Sequence, residues 1–319
     1  MDAVSLNKAL LEALRQKMPE GINVVNVLLT ILPLGREAIY RRLREEVPFT
    51  FLEVAIIAWK LGISLDQVVG KGLSDNSFFE LKYHRHYQLT EKDYDMAYEY
   101  IEVLKYAQRD PTAEQAFTST IFPQLHANFY YYLAKYSSFK WMYLNGSPNT
   151  IKTYQEMEFP DKLFEAHRTT ALETMNINTC FIWDGMLFLS IVKELKFFKD
   201  VNLMTDKDIK ELKAELYEFL DYLEKIASSG RSDTGKKIQI YISNVNSDAS
   251  YSYLETSHLY LSMINAFALN YVVALDKQTL TRVKERVHSL KRLSTLISES
   301  GEIQRMQFFK KQRELVSSL

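Results

Sequence analysis

Along the first seventy residues, apolar positions recur with a helical period in five short bursts, each closed by a helix breaker. Leu6, Ala9, Leu10, Ala13 and Leu14 follow Ser5 at helical spacing and predict an amphipathic helix ended by Pro19 and Gly21. Asn23 heads a second, "VVNVLLTIL", which stops at Pro33, and Gly35 opens a third with the stripe Ile39, Leu43 and Val47. The fourth has the most legible start: Thr50 and Glu53 are spaced as a capping box, and Phe49 and Val54 as a hydrophobic staple. Gly62 stands at the C′ position, and "SLDQ" (Ser64, Gln67) repeats the box for a fifth helix ending at Gly70.

Beyond Gly70 the period is lost until Thr90, a helix cap, so residues 73–89 read as a linker between domains at 1–72 and 90–319. Helices are expected over residues 91–109, 112–145 with one break near Pro123, 161–176, 185–199 and 205–228. Residues 176–184, "NINTCFIWD", are β-branched and aromatic and read as a strand. Ile238, Ile240 and Ile242 alternate with polar neighbours, and the polar cluster around Asn246 to Asp248 marks a hairpin. Leu259 to Leu275 reads either as one or two further strands or as a helix, and two basic amphipathic helices, 277–297 and 302–317, follow. The fold class expected is mainly α with a smaller α+β part: a five-helix N-terminal domain, then a larger helical domain containing a small antiparallel sheet.

Composition narrows the function classes. A chain of 319 residues exceeds what one core serves, while 10 Gly and 7 Pro against 20 Tyr and 18 Phe favour long helices with short connections. A net charge of −1 argues against a protein that coats nucleic acid over its whole surface, but leaves room for a small module whose charge is local. The single cysteine, Cys180, excludes intrachain disulfides and thiolate metal clusters and fits a reducing compartment. "FIWDGMLFLSIV" and "SMINAFALNYVVAL" are too short and too interrupted to cross a bilayer, and the N-terminal helix carries charges through its apolar positions. A cytoplasmic protein without membrane contact is expected.

Local charge gathers in "PLGREAIYRRLREEVPFTF". At 100° per residue, Ile39 and Leu43 point inward and Glu37, Arg41 and Arg44 outward; Ala38 and Tyr40 lie at the margins, and Arg36 and Arg42 flank the buried stripe. An arginine-bearing helix held from behind suits the major groove, since guanidinium matches the guanine O6/N7 edge. The same pattern also describes a solvated face, because Glu37 and Arg41 are an i,i+4 pair and Gly35 to Glu46 holds four bases against three acids.

The order of parts favours the first reading. With "AIYRRL" as its third helix and "FTFLEVAIIAWKLGISLDQVVG" as its fourth and fifth, the region 22–70 resembles the lambda-repressor-like, xenobiotic-response-element type of helix-turn-helix domain. Pro33, where the family often has glycine, and Leu29, where it prefers a small residue, depart from the pattern. The resemblance implies a recognition helix over residues 35–46. It places Gly35, Arg36, Glu37, Ala38, Tyr40 and Arg41 nearest base edges, and Arg42 and Arg44 on phosphate. It thus implies a bacterial-type transcription regulator that binds double-stranded DNA as a homodimer, its second domain dimerising or sensing an effector. The alternative is a protein-interaction or scaffold protein that keeps the fold without DNA.

Other signals are weaker. "HRH" (His84, Arg85, His86) is the only metal-like spacing and lacks further ligands. Cys180 sits in an expected strand, where cysteine is usually a small hydrophobe, and no phosphate loop, "HExxH" or nucleophile elbow occurs. "FYYYLAKYSSFKWMY" reads as core, with some tyrosines meeting another domain, another subunit or water. Neither an enzyme nor a cofactor or metal is expected.

Overall fold

Helix ends explain most of the N-terminal architecture in the computed structural model, which describes residues 3–18, 23–70, 79–82, 91–146, 152–245, 247, 249–265 and 271–319. The chain divides into two compact units, Met1–Phe78 and Phe79–Leu319, and the division falls inside the segment read as a linker. The first unit holds α1 (Ala3–Lys17), α2 (Val24–Ile31), α3 (Arg36–Leu43), α4 (Phe51–Leu61) and α5 (Leu65–Gly70). Asn23 Oδ1 accepts from Val25 N–H and starts α2. Thr50 and Glu53 form the reciprocal box at α4, and Gly62, at φ 62°, ends it in the left-handed region. Leu10, Leu14, Leu28, Ile39, Ile57 and Val68 fill the core of this unit, with Phe49 buried and Val54 packed against it.

The second unit is built on a sheet far larger than the composition suggested. Eight strands lie in the order β1 (Glu80–Lys82), β7 (Tyr271–Ala274), β6 (Tyr260–Asn265), β5 (Ser250–Glu255), β2 (Glu114–Ser119), β3 (Asn178–Trp183), β4 (Ile238–Ser243), β8 (Ser294–Leu296). The expectation of a small antiparallel sheet is therefore wrong: the sheet is mixed, with β2, β3 and β4 parallel and the rest antiparallel.

Four local misreadings account for the difference. Residues 114–119 were expected within a helix. As a central strand β2 is buried on both faces, with Gln115, Ala116, Phe117 and Thr118 all covered, so it lacks the period-two alternation that marks a half-exposed strand. β4 and β5 do not form the expected hairpin, because β3 and β2 lie between them; the antiparallel neighbour of β5 along the chain is β6. Residues 294–296, expected in a helix, leave α12 (Lys277–Arg292) to pair with β4 as β8. Residues 80–82 of the supposed linker are strand β1. The Thr90 cap and the His84–Arg85–His86 triplet lie outside the described residues.

Parallel strands require crossovers, and helices supply them. Between β2 and β3 run α7 (Gln124–Ala127), α8 (Tyr131–Asn145) and α9 (Asp161–Thr174); between β3 and β4 run α10 (Leu189–Asp200) and α11 (Asp206–Ser229). Phe117, Phe181 and Ile240 lie in one row across β2, β3 and β4. They share a core with Tyr136, Phe139, Leu195, Leu216 and Phe219, and with Phe308 and Phe309 of α13 (Glu302–Ser317). The opposite face, with Ala116, Ile182 and Tyr253, is covered by Leu280, Val283, Val287 and Leu290 of α12. α6 (Glu91–Gln108) buries Leu104 and Ala107 against Leu254, Leu261 and Met263.

Candidate nucleic-acid interface

The third helix is placed by one buried contact and one buried ion pair. Ile39 is wholly buried, which orients the rest of α3. Gly35, Arg36, Glu37, Tyr40, Arg41 and Arg44 are exposed, whereas Ala38 and Arg42 are half-buried. Before α3, Leu32 turns extended while its N–H still bonds to Leu28 O, and Gly35 serves as an extended N-cap with no side-chain bond. Glycine is not demanded at that position, since φ is −75° and the space beside its Cα is open.

Arg42 does not project outward as the phosphate role required. Its Nε and Nη2 donate to Glu53 Oε2 and Oε1 at 2.8 and 2.7 Å, its Nη1 donates to Ala38 O at 3.2 Å, and its guanidinium lies 6.0 Å from the Phe49 ring centroid. Only 13% of the Arg42 side chain and 11% of the Glu53 side chain are exposed. Burial pushes the Glu53 carboxyl up, but bonds from Arg42 and Thr50 outweigh it and hold it below the ordinary carboxylate range. One carboxylate thus caps α4 and pins α3 to it. Nothing local in the sequence marks a partner eleven residues away.

The other arginines keep their heads in solvent. Arg44 reaches Glu37 at 3.1 Å and Glu46 at 2.9 Å, Arg41 lies 3.5 Å from Glu46, and Arg36 Nη2 donates to Asn26 Oδ1 of α2 at 3.3 Å. Such exposed pairs contribute about 0–1 kcal/mol each, so a phosphate displaces the carboxylates at little cost.

α3 ends in a Schellman motif. Glu46 N–H bonds to Arg41 O at 2.9 Å and Glu45 N–H to Arg42 O at 3.1 Å, with Glu45 at φ 64°. A side chain in this region costs about 1 kcal/mol or more relative to glycine. Glu45→Gly is therefore expected to raise stability by about 1 kcal/mol in urea denaturation, since Glu45 makes no ion pair among the described residues.

The second unit offers less. A cavity of about 10 Å³ lies at the carboxyl ends of β2, β3 and β4, lined by Thr118, Ser119, Thr120, Asp184, Ser243 and Ser247 among others. It has room for roughly one water. Its lining includes Ile182 and Trp183 of β3 and Ser243 of β4, but neither Cys180 nor Tyr241. Burial pushes the Cys180 thiol up to about 11, which keeps it protonated at neutral pH. Among the described residues, no group of three His, Cys, Asp or Glu could hold a metal ion, and no helix is long and apolar enough to cross a membrane. The aromatic run in α8 divides as read: Tyr136, Phe139 and Trp141 are buried, and Tyr131 is exposed.

Comparison with protein-family models, curated proteins and solved structures finds no match to the chain.

Proposed function

We propose that this protein is a cytoplasmic, sequence-specific DNA-binding transcription regulator that inserts α3 into the major groove and acts as a homodimer. The observation that carries the reading is the exposed arginine face of an eight-residue helix whose inner side is locked by Ile39 and by the Arg42–Glu53 pair. A helix entering a groove must resist rotation about its axis, and these two contacts provide that resistance. Arg36, Glu37, Tyr40 and Arg41 stand nearest the bases, with Gly35 and Ala38 allowing close approach. Arg44 takes a phosphate, and Arg42 is a positioning residue rather than a contact. The second unit dimerises the protein or senses an effector.

The test is a gel shift on DNA selected from a random pool, in graded salt. Arg44→Ala is expected to weaken binding uniformly across sequences and to lower the slope of log K against log salt by about 0.9. Arg41→Ala is expected to cost about 1–3 kcal/mol and relax preference at one base pair. Glu46→Gln, which frees Arg41 and leaves Arg44 with Glu37 alone, should tighten binding. No retention at low salt, with all three variants silent, would sink the reading. A protein-interaction module is the second reading, favoured by the fact that Arg41 and Arg44 already have carboxylate partners in their own unit.

A further inference from the structure

The largest exposed apolar side chains of the first unit stand together on one helix. In α4, Phe51 is 83%, Leu52 68% and Trp59 77% exposed, the three highest values among the large apolar residues described. At 100° per residue, Phe51, Ala55, Trp59 and Leu52 fall within an arc of about 100°. The inner side of the same helix buries Glu53, Ile57 and Ala58. Apolar strips of this kind on soluble proteins mark binding surfaces.

We propose that this α4 face is the surface through which two copies of the chain pair with each other. Three features select a second copy over another partner. First, a two-fold contact must be complementary to itself, and an apolar strip satisfies that, whereas a charged one repels its twin. Lys60 of the same helix has its ammonium 4.5 Å from the Trp59 ring centroid and is thus engaged within its own chain. Second, an aromatic side chain carries about 150–250 Å², so the strip offers about 400–500 Å² per copy and about 800–1,000 Å² for the pair. That sits at the lower edge of specific interfaces, too small for a permanent dimer and suited to pairing that an added DNA site completes. Third, Glu53 joins α4 to Arg42 of α3, so pairing through α4 sets the spacing of two α3 helices directly. The inference rests on the DNA-binding reading for its purpose, but its test uses no DNA.

The chain supplies its own probe. Of its three tryptophans, Trp141 and Trp183 are buried at 4% and 1% exposure, so acrylamide quenches Trp59 almost alone. With the full chain, the quenching constant should fall at least about two-fold between about 1 µM and about 200 µM protein, with a blue shift in emission, as expected for a small interface. The double variant Phe51→Ser, Leu52→Ser should keep the dilute-limit quenching at every concentration, with unchanged circular dichroism showing that it folds. Quenching that never changes with concentration would overturn the proposal. So would protection that persists at the lowest concentration, which means cover from within the chain, or protection that survives in the double variant. Failure of the gel shift with a positive result here would remove the DNA and keep the pairing.

Discussion

Glu53→Ala is expected to unfold the N-terminal unit near ambient temperature while the sheet-containing unit stays folded. The substitution leaves the Arg42 guanidinium without a carboxylate in a site where only 13% of its side chain reaches water, a situation that costs about 3–5 kcal/mol. It also removes one half of the α4 capping box, which contributes about 1 kcal/mol. A unit of this size has a total stability of about 4–10 kcal/mol, so the loss is comparable with the whole. Thermal melting of the full chain reads the two units apart, because Trp59 belongs to the first and Trp141 and Trp183 to the second. The Trp59 transition should move down by about 15 °C or more. Arg42→Met in the same chain should recover much of the loss by removing the stranded charge. A shift of only a few degrees in the single variant would show that the pair contributes little and that α3 is held by Ile39 alone.

Acid is expected to destabilise the second unit steeply. His126 lies edge-on between Phe117 and Phe181, at 4.8 and 4.9 Å between centroids, with no partner for Nε2, and burial lowers its pKa to about 3. His167, whose Nδ1 is 3.2 Å from Asn128 Nδ2, is lowered by burial to about 4. Both are neutral in the folded chain at pH values where the unfolded chain binds protons. Below pH 6.5 each therefore costs about 1.4 kcal/mol of stability per pH unit until its folded pKa is reached. By pH 4.5 the two together amount to about 5 kcal/mol.

Glu215 acts in the opposite direction. Burial pushes its carboxyl up to about 7, against the pull of the N–H bonds from Tyr132 and Leu133 that it accepts at the start of α8. The folded chain thus holds a proton between about pH 4.5 and 7 that the unfolded chain has released, and stability falls as pH rises through that window. Solvent screening reduces this to about 1–2 kcal/mol. Urea denaturation across pH should show a steep acid limb that levels off near pH 7, with Glu215 flattening its upper part. His126→Leu should halve the slope of that limb, and an unchanged slope would show that the histidine is not held neutral.

Side-chain signals confined to a few neighbouring residues were legible in the sequence. The Asn23 cap, the Thr50–Glu53 box and the Gly62 terminus set the helices of the first unit, because each acts over two to four positions. The outward placement of Glu37, Arg41 and Arg44 followed from helical geometry once Ile39 and Leu43 were taken as the inner contacts, whereas Arg36, read as flanking the buried stripe, is exposed. Strand β3 was legible from its β-branched and aromatic residues.

Partner choice over longer distances was not legible. The composition of β2 passes for helix, and only its position between β3 and β5, with both faces covered, makes it a strand. The polar cluster after β4 announces a change of direction but not its destination, so pairing with β3 and β8 rather than β5 was decided by the packed sheet. Arg42 counted equally with Arg36, Arg41 and Arg44 as a DNA contact until Glu53 claimed it. The sequence by itself determined where helices begin, end and face, since those forces act within a turn or two; tertiary structure alone decided which strands meet and which arginine is buried, since burial depends on residues far apart in the chain.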